Sequence, residues 1–310
     1  MRRVSNPQNS FTVTMLGTAS AMPVATRNQS AQALQVHGRL FLMDAGEGVQ
    51  TQMVRYHVPL AKLEAVFISH VHGDHVYGLF GLLSTFGMGG RMVPLHVYGP
   101  VNLRPFINFF LSYNDWLPYE IVFHPVSTRF PEVVFETRTV SVTAFPLLHG
   151  IETYGYIFRE KEPLWNVRKE SIAEYGLSLT EIGTLKRGED VVREDGTVIP
   201  LGEAAYKPFV PRSYAYVSDT AVFPGEAEVL KDVTVLYHEA TFLQEHEDKA
   251  AARFHSTTLQ AAQVALDAGV SRLLIGHYSS RNLDHRLYEA ECRTLFPETY
   301  AASDGDVFEI

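Results

Sequence analysis

The chain has 310 residues, 46% of them hydrophobic, and a formal net charge of −9 at pH 7. This balance excludes a polycationic nucleic-acid binder, so an RNA ligand would need a local basic surface or metal ions. No apolar stretch has the roughly 20 residues that span a bilayer. The first seven residues are too polar to begin a signal peptide. The one cysteine, Cys292, excludes an intramolecular disulfide. We therefore expect a cytoplasmic protein without a membrane segment.

Taken in chain order, apolar runs predict strands and helices in alternation. The predicted strands are 11–16, 31–36, 39–43, 65–69, 95–98, 139–148, 154–158, 214–218, 234–237 and 272–275. The predicted helices are 49–57, 76–88 and 259–268. Helix 76–88 is apolar on almost every side, which indicates burial, and Thr257 with Gln260 forms a capping box before the last helix, which Gly269 ends. The alternation is typical of layered α/β proteins.

One segment, residues 159–211, departs from this pattern. It is polar, has weak periodicity and contains turn signals at 187–188 and 195–196. We interpret it as an arm inserted into a single domain that comprises residues 1–310. Residues 159–200 hold seven Lys/Arg against nine Asp/Glu, so Lys186 and Arg187 form the basic spot best suited to an RNA backbone, with a solvated turn as the open alternative.

The most informative motif is the run His70-Val71-His72-Gly73-Asp74-His75, which directly follows the apolar residues 65–68. Imidazole and carboxylate groups are the ligands that hold zinc without redox chemistry. A strand that delivers four such groups at its end would build half of a metal site from local sequence.

Three further residues of ligand type, His149, Asp219 and His277, each follow an apolar strand. Strand ends converge on one rim of a layered α/β fold, so we expect these residues to meet the first cluster there, although each taken alone could be an ordinary turn residue. Together they supply seven ligands, enough for two metal ions. Asp219 is the candidate bridge at a metal spacing of roughly 3.5–4 Å, which suits the displacement of an oxygen from phosphorus.

Asp44 precedes Gly46 and has two readings. It either lies beneath the metal site, where it would orient a ligand histidine, or forms the turn itself.

These residues resemble the metal-binding motifs of the metallo-β-lactamase superfamily, and within it the chain is similar to the short form of the ribonuclease Z (tRNase Z) family. The resemblance does not depend on the metal ligands alone. His238–Thr241 match the HEAT loop, and His255–Thr257 match the HST loop. Pro23, Arg27 and Asn28 match most of the PxKxRN loop, and residues 41–48 and 94–100 match two other family segments.

The resemblance implies a four-layer αβ/βα sandwich with a protruding arm and an endonuclease that removes the 3′ trailer of precursor tRNA, leaving a 3′-hydroxyl. It implies two Zn²⁺ per subunit, with Mn²⁺ as a substitute. One ion would be held by His70, His72 and His149, the other by Asp74, His75 and His277, with Asp219 as the bridge.

The resemblance also assigns the other site residues. Asp74 would be the general base, and a protonated His255 held by Glu239 would donate a proton to the leaving oxygen. The open alternative for this pair is a helix N-terminal cap and a satisfied carboxylate. Arg27 and Asn28 of the loop similar to PxKxRN, together with the basic pair Lys186 and Arg187, are the candidate substrate contacts, and a structural role in its loop is the open alternative for Arg27. A homodimer is implied as well, because in the family the arm of one subunit clamps tRNA for the active site of the other.

Two departures from the family pattern concern substrate recognition. Ala25 stands where PxKxRN has lysine, and residues 177–183 replace the Gly-Pro-rich tip of the arm. Because of the weakened arm and the acidic charge balance, a second hypothesis stays open, namely a hydrolase of the same fold that acts on a small ester. A third hypothesis is a non-catalytic RNA-binding scaffold.

Overall fold

The computed structural model describes residues 10–310, so the polar first seven residues lie outside the described range. The strands are β1 (Phe11–Gly17), β2 (Ala31–Val36), β3 (Arg39–Met43), β4 (Leu63–Phe67), β5 (Leu95–Pro100), β6 (Ile121–Val126), β7 (Glu132–Glu136), β8 (Val140–Pro146), β9 (Tyr154–Glu160), β10 (Asn166–Val167), β11 (Val191–Val192), β12 (Val198–Ile199), β13 (Ala205–Tyr206), β14 (Ser213–Val217), β15 (Val235–Glu239), β16 (Arg272–Gly276), β17 (Thr299–Ala301) and β18 (Val307–Glu309).

The α-helices are α1 (Val49–Arg55), α2 (Gly73–Met88), α3 (Arg104–Ser112), α4 (Lys169–Glu174), α5 (Leu179–Arg187), α6 (Leu201–Ala204), α7 (Glu226–Val229), α8 (Glu247–Ala252), α9 (Thr258–Ala268) and α10 (His285–Arg293). None of the helices in residues 10–310 combines the length and hydropathy needed to cross a membrane. The chain divides into two compact units, of which the second comprises 137–140 and 159–212 and the first the remainder.

The first unit contains two mixed sheets, each with seven strands among the described residues, in the orders β18-β1-β2-β3-β4-β5-β6 and β17-β16-β15-β14-β9-β8-β7. The hairpin β2–β3 is antiparallel, whereas β3 to β6 run parallel, as do β14 to β17. Phe41 and Phe67 of the first sheet pack against Phe158 of the second, with ring centroids 5.6 and 5.2 Å apart. The inner faces of the sheets thus share an aromatic core.

The outer faces of the two sheets are covered by helices, which completes four layers. Val49 of α1 and Leu79 of α2 belong to a buried apolar cluster with Val66 of the first sheet. Ala261 of α9 and Tyr288 of α10 belong to a second cluster, on the other sheet. The predicted layered α/β class is therefore confirmed.

Most predicted elements are confirmed, with small shifts at their ends. The predicted capping box at Thr257 and Gln260 is present, and Gly269 ends α9 with φ +67°. Helix α2, however, begins at Gly73 rather than at residue 76, because Asp74 is favourable in a first turn. Its predicted burial is confirmed for most of its length, since eight of its 16 residues are buried, and only Tyr77 and Met88 are exposed.

The second unit has its own small apolar core, which the weak periodicity of its sequence did not reveal. Leu177, Leu185 and Ile199 are buried together with Val191 and the alanines of α6 and β13. Helix α5 begins with a capping box in which Ser178 is the N-cap, and it ends at Gly188 with φ +89°. Residues 159–212 are thus a folded unit rather than a polar loop.

Candidate metal centre and active site

The histidine-rich motif lies between β4 and α2. Strand β4 ends at Phe67, two residues before the predicted end, and His72 is the extended N-cap residue of α2. His70 and His72 therefore precede the helix, while Asp74 and His75 lie in its first turn. The motif thus presents its side chains from a loop and a helix N-terminus together.

The structure brings this motif together with the three residues that follow distant strands. His149 follows β8, Asp219 follows β14 and His277 follows β16. They form three groups of possible metal ligands, and within each group the donor atoms lie within 4.8 Å of one another. The first group is His70, His72, His149 and Asp219, the second is Asp74, His75 and His277, and the third is Asp219, His255 and His277. All seven residues predicted to bind metal are in the first two groups.

Asp219 lies between the two groups of ligands, and its two oxygens face different histidines. Its Oδ1 is 3.3 Å from His75 Nε2 and 3.2 Å from His277 Nε2. Its Oδ2 is 3.7 Å from His70 Nε2 and 3.9 Å from His149 Nε2. This arrangement suits a carboxylate that bridges two cations.

The charge balance of the site also fits divalent cations. Asp219 Oδ1 is buried and has no hydrogen-bond partner among the described residues, although such an oxygen is costly to bury unpaired. Burial raises the pKa of Asp219, but the nearby His277 and His75 lower it to well below the usual range, so the carboxylate is ionised. Burial lowers the pKa of His75, yet Asp219, Asp74 and Asp44 raise it well above its ordinary value. The site thus favours a positive charge at its centre.

Four of the histidines are oriented by an oxygen at Nδ1, which leaves Nε2 for the centre. The Nδ1 contacts are His70 with Ser69 Oγ at 2.9 Å, His75 with Asp44 Oδ2 at 2.7 Å, His149 with the Phe254 carbonyl at 3.0 Å and His277 with Thr241 Oγ1 at 2.8 Å. Such contacts fix the tautomer and the ring orientation of a metal ligand. His72 instead turns Nδ1 inward, 3.0 Å from His70 Nε2.

Asp44 lies directly beneath the site. Its carboxylate accepts hydrogen bonds from His75 Nδ1, from Tyr216 Oη at 2.7 Å and from the Ser69 backbone N–H at 2.7 Å. The residue is fully buried and has φ +54°. Both readings of Asp44 are therefore realised, since it orients His75 and also occupies a tight turn.

Glu239 and His255 form a hydrogen-bonded pair beside the groups of possible metal ligands. His255 Nδ1 is 2.7 Å from Glu239 Oε1, and the His255 ring lies 5.3 and 5.5 Å from those of His149 and His277. Burial lowers the pKa of His255, but the charge and the hydrogen bond of Glu239 raise it to about 9. The pairing with Glu239 thus favours the protonated form of His255.

The Glu239 carboxylate connects several loops of the site. It accepts hydrogen bonds from the backbone N–H of Thr220, Ser256 and Thr241 at 3.2, 3.1 and 2.8 Å. Thr241 Oγ1 also donates to it at 2.8 Å and is thereby left to accept from His277. One buried carboxylate thus holds the loops that carry Asp219, His255 and His277.

The residues predicted to bind substrate have varied surroundings. Arg27 is 9% exposed, lies over the Tyr278 ring at 5.2 Å and donates to the Asn282 carbonyl. Asn28 is on the same loop, whose Ala21 N–H donates to Asp74 Oδ2 at 2.8 Å. Lys186 and Arg187 lie in the last turn of α5 in the second unit, and the side chain of Arg187 is 59% exposed.

Comparison with known proteins identifies relatives over nearly the whole chain. Ribonuclease Z of Bacteroides fragilis (strain YCH46) is 38% identical and covers 95% of this chain and 97% of its own. Ribonuclease Z of Cytophaga hutchinsonii is 40% identical, with coverages of 97% and 96%. A family model described as Anti-Pycsar protein Apyc1 matches residues 11–99.

Solved structures agree with these sequence relationships. Human tRNase Z, short form, has a TM-score of 0.69 and 26% identity, and the match covers 96% of this chain and 98% of that one. YhfI of Bacillus subtilis, a metallo-β-lactamase fold protein, has a TM-score of 0.69 at 20% identity, covers 97% and 100%, and supports the fold alone. With these relatives and this fold, the chain belongs to the ribonuclease Z family of metallo-β-lactamase fold proteins.

Proposed function

We propose that this protein is a metal-dependent endoribonuclease that removes the 3′ trailer of precursor tRNA and leaves a 3′-hydroxyl. The observation that carries the proposal is the position of Asp219 between two groups of ligands, with the Glu239–His255 pair beside them. The relatives named ribonuclease Z match 95% or more of the chain, which disfavours both a small-ester hydrolase and a non-catalytic scaffold.

Two Zn²⁺ per subunit, with Mn²⁺ as a substitute, are the proposed cofactors. His70, His72 and His149 would hold one ion, and Asp74, His75 and His277 the other, with Asp219 shared. Imidazole and carboxylate ligands are those expected for zinc. Bound ions of this kind supply a Lewis acid that lowers the pKa of water and stabilises charge on a phosphate.

The side chains of the protein then handle the protons of the reaction. Asp74, whose Oδ2 is fixed by the Ala21 N–H, accepts the proton of the attacking water. Attack at phosphorus breaks the bond to the ribose 3′-oxygen, and His255 gives its proton to that oxygen while Glu239 holds the ring. The products are a tRNA with a 3′-hydroxyl and a trailer with a 5′-phosphate.

Residues 159–211 are the proposed tRNA-binding arm, with Lys186 and Arg187 as its phosphate contacts. Arg27 and Asn28 belong to the same proposal, through the loop that also fixes Asp74. A cytoplasmic location is part of it as well, because the one cysteine is buried and free and the fold needs no oxidising compartment.

Replacing residues 163–208 with a short Gly-Ser linker tests the arm. The linker would keep the bond between Arg212 Nη2 and Glu160 Oε1, which is 2.7 Å long. We expect precursor-tRNA cleavage to fall about 100-fold, because backbone contacts are lost. Hydrolysis of bis(p-nitrophenyl) phosphate is expected to stay within about twofold, since a small diester makes no such contacts. Equal losses on both substrates would contradict the assigned role of the arm.

A homodimer is the proposed assembly, and an exposed aromatic groove supports it. Tyr77 and Phe80 of α2 face Phe106, Phe109 and Phe110 of α3 around a groove of about 770 Å³. Phe109 is 69% exposed. A contiguous apolar surface of this kind is typical of an interface, and a second copy of the chain is the occupant that the family resemblance implies.

Phe109→Glu tests this interface. We expect a shift from dimer to monomer in light scattering, because a carboxylate cannot be buried unpaired in an apolar contact. Leu287→Glu is the matched control, since Leu287 is a 51% exposed apolar residue on α10. A dimer that survives Phe109→Glu unchanged would place the interface elsewhere.

A further inference from the structure

A buried ionic pair lies behind the active site and has no part in the functions assigned so far. His238 Nε2 is 3.0 Å from Glu226 Oε1, and the two residues are 0% and 1% exposed. The other ring nitrogen of His238, Nδ1, is 2.6 Å from the backbone carbonyl oxygen of Glu239. The imidazole is thus held between a helix and the residue that pairs with His255.

The chemistry of these contacts defines the state of the ring. A carboxylate and a carbonyl are both acceptors, so both nitrogens of His238 donate, and the ring is an imidazolium. Burial lowers the pKa of His238, but the hydrogen bond and the charge of Glu226 raise it above its ordinary value. The buried charges of Glu226 and His238 are therefore compensated only while both side chains are present.

The pair connects two segments that carry site residues. Glu226 is the first residue of α7 and follows Asp219 by seven positions. Between them, the Thr220 N–H donates to Glu239 Oε1. His238 is the residue before Glu239 at the end of β15. The loop that begins at Asp219 is thus fixed to Glu239 both through Thr220 and through the Glu226–His238 pair.

We propose that Glu226 and His238 are positioning residues for His255. The Glu226–His238 pair fixes the backbone of Glu239, and it thereby sets the direction in which the Glu239 carboxylate holds the His255 ring. This inference rests on the proposed role of His255 as proton donor and extends it by two residues that touch neither substrate nor metal.

A double-mutant cycle tests the proposal on precursor-tRNA cleavage. Glu226→Ala is expected to lower kcat about tenfold with KM unchanged, and to have less than about twofold effect when His255 is already alanine, because coupled residues are not additive. Glu226→Gln should retain activity within about twofold, since its amide can donate to Nε2 of a neutral ring while Nδ1 still donates to Glu239. Glu228→Ala, an exposed glutamate on the same helix, is the matched control and is expected to have no effect.

The outcomes separate this inference from the proposed function. A tenfold loss in both backgrounds, or no loss in the wild type, overturns the positioning role and leaves His255 as the proton donor. An unchanged rate for the single substitution His255→Ala overturns both the positioning role and the assignment of His255 as the proton donor. If Glu226→Ala does not yield folded protein, Glu226→Asp replaces it in the cycle, because it keeps the charge and withdraws the carboxylate by one methylene.

Discussion

Asp219→Asn is expected to reduce precursor-tRNA cleavage by about 1,000-fold or more, which corresponds to about 4 kcal/mol of transition-state stabilisation. The substitution keeps the size of the side chain but removes the charge that both groups of histidines face. An amide offers a single, weakly basic oxygen and cannot bridge two cations as a carboxylate does. The measurement is single-turnover cleavage together with the metal content of the purified protein, which we expect to fall in parallel.

Asp267→Asn is the matched control for this prediction. Asp267 is exposed on α9 and donates no ligand to the site. It should retain wild-type cleavage and metal content. Wild-type cleavage by Asp219→Asn would contradict the bridging role, and a loss of cleavage with full metal content would show that Asp219 acts in another way.

The second large effect is expected from His255→Ala, and it should depend on the leaving group. The ribose 3′-oxygen is a poor leaving group and needs a proton, whereas p-nitrophenolate leaves without one. Loss of a general acid typically costs about 10²- to 10⁴-fold. We therefore expect a loss in that range for precursor tRNA and a change within about threefold for bis(p-nitrophenyl) phosphate.

His246→Ala is the control, because His246 is a half-buried histidine nine positions before His255 and should affect neither substrate. Parallel losses on the two substrates by His255→Ala would contradict proton donation and would point instead to a role in holding the metal centre, since His255 also lies within one of the ligand groups.

The meeting of the candidate ligands at one place could be predicted from sequence because they follow apolar strands, and strand ends meet at one edge of the fold. His149, Asp219 and His277 are examples. The start of α2 could not be placed from periodicity, because Gly73, Asp74 and His75 are not apolar residues, although Asp74 is a favourable first-turn residue.

The supporting contacts of the site were beyond the reach of sequence patterns. All five residues of β14 are buried, so no alternation marks Tyr216 as the partner of Asp44. Thr241 was part of a recognised motif, but its contact with His277 joins residues 36 positions apart. Glu226 could not be found either, since a glutamate at the start of a short helix usually faces solvent.

The small core of the second unit was hidden for a related reason. Its apolar residues are spread over short helices and two-residue strands, as with Leu185 of α5, Val191 of β11 and Ile199 of β12. No single element is long enough to show a period. The aromatic groove was missed because Tyr77 and Phe80 were counted toward a buried helix, whereas they face α3 at the surface.

The origin of the ligands has a consequence for how the protein holds together. His70, His72, Asp74 and His75 extend from the half of the sandwich built on β4, and His149, Asp219 and His277 from the half built on β8, β14 and β16. Cations bound there would fasten the two halves to each other much as a disulfide fastens two segments, without any cysteine. Removal of the ions by a chelator should therefore weaken the packing between the two sheets first. Each half of the sandwich expressed alone should lack tight affinity for metal.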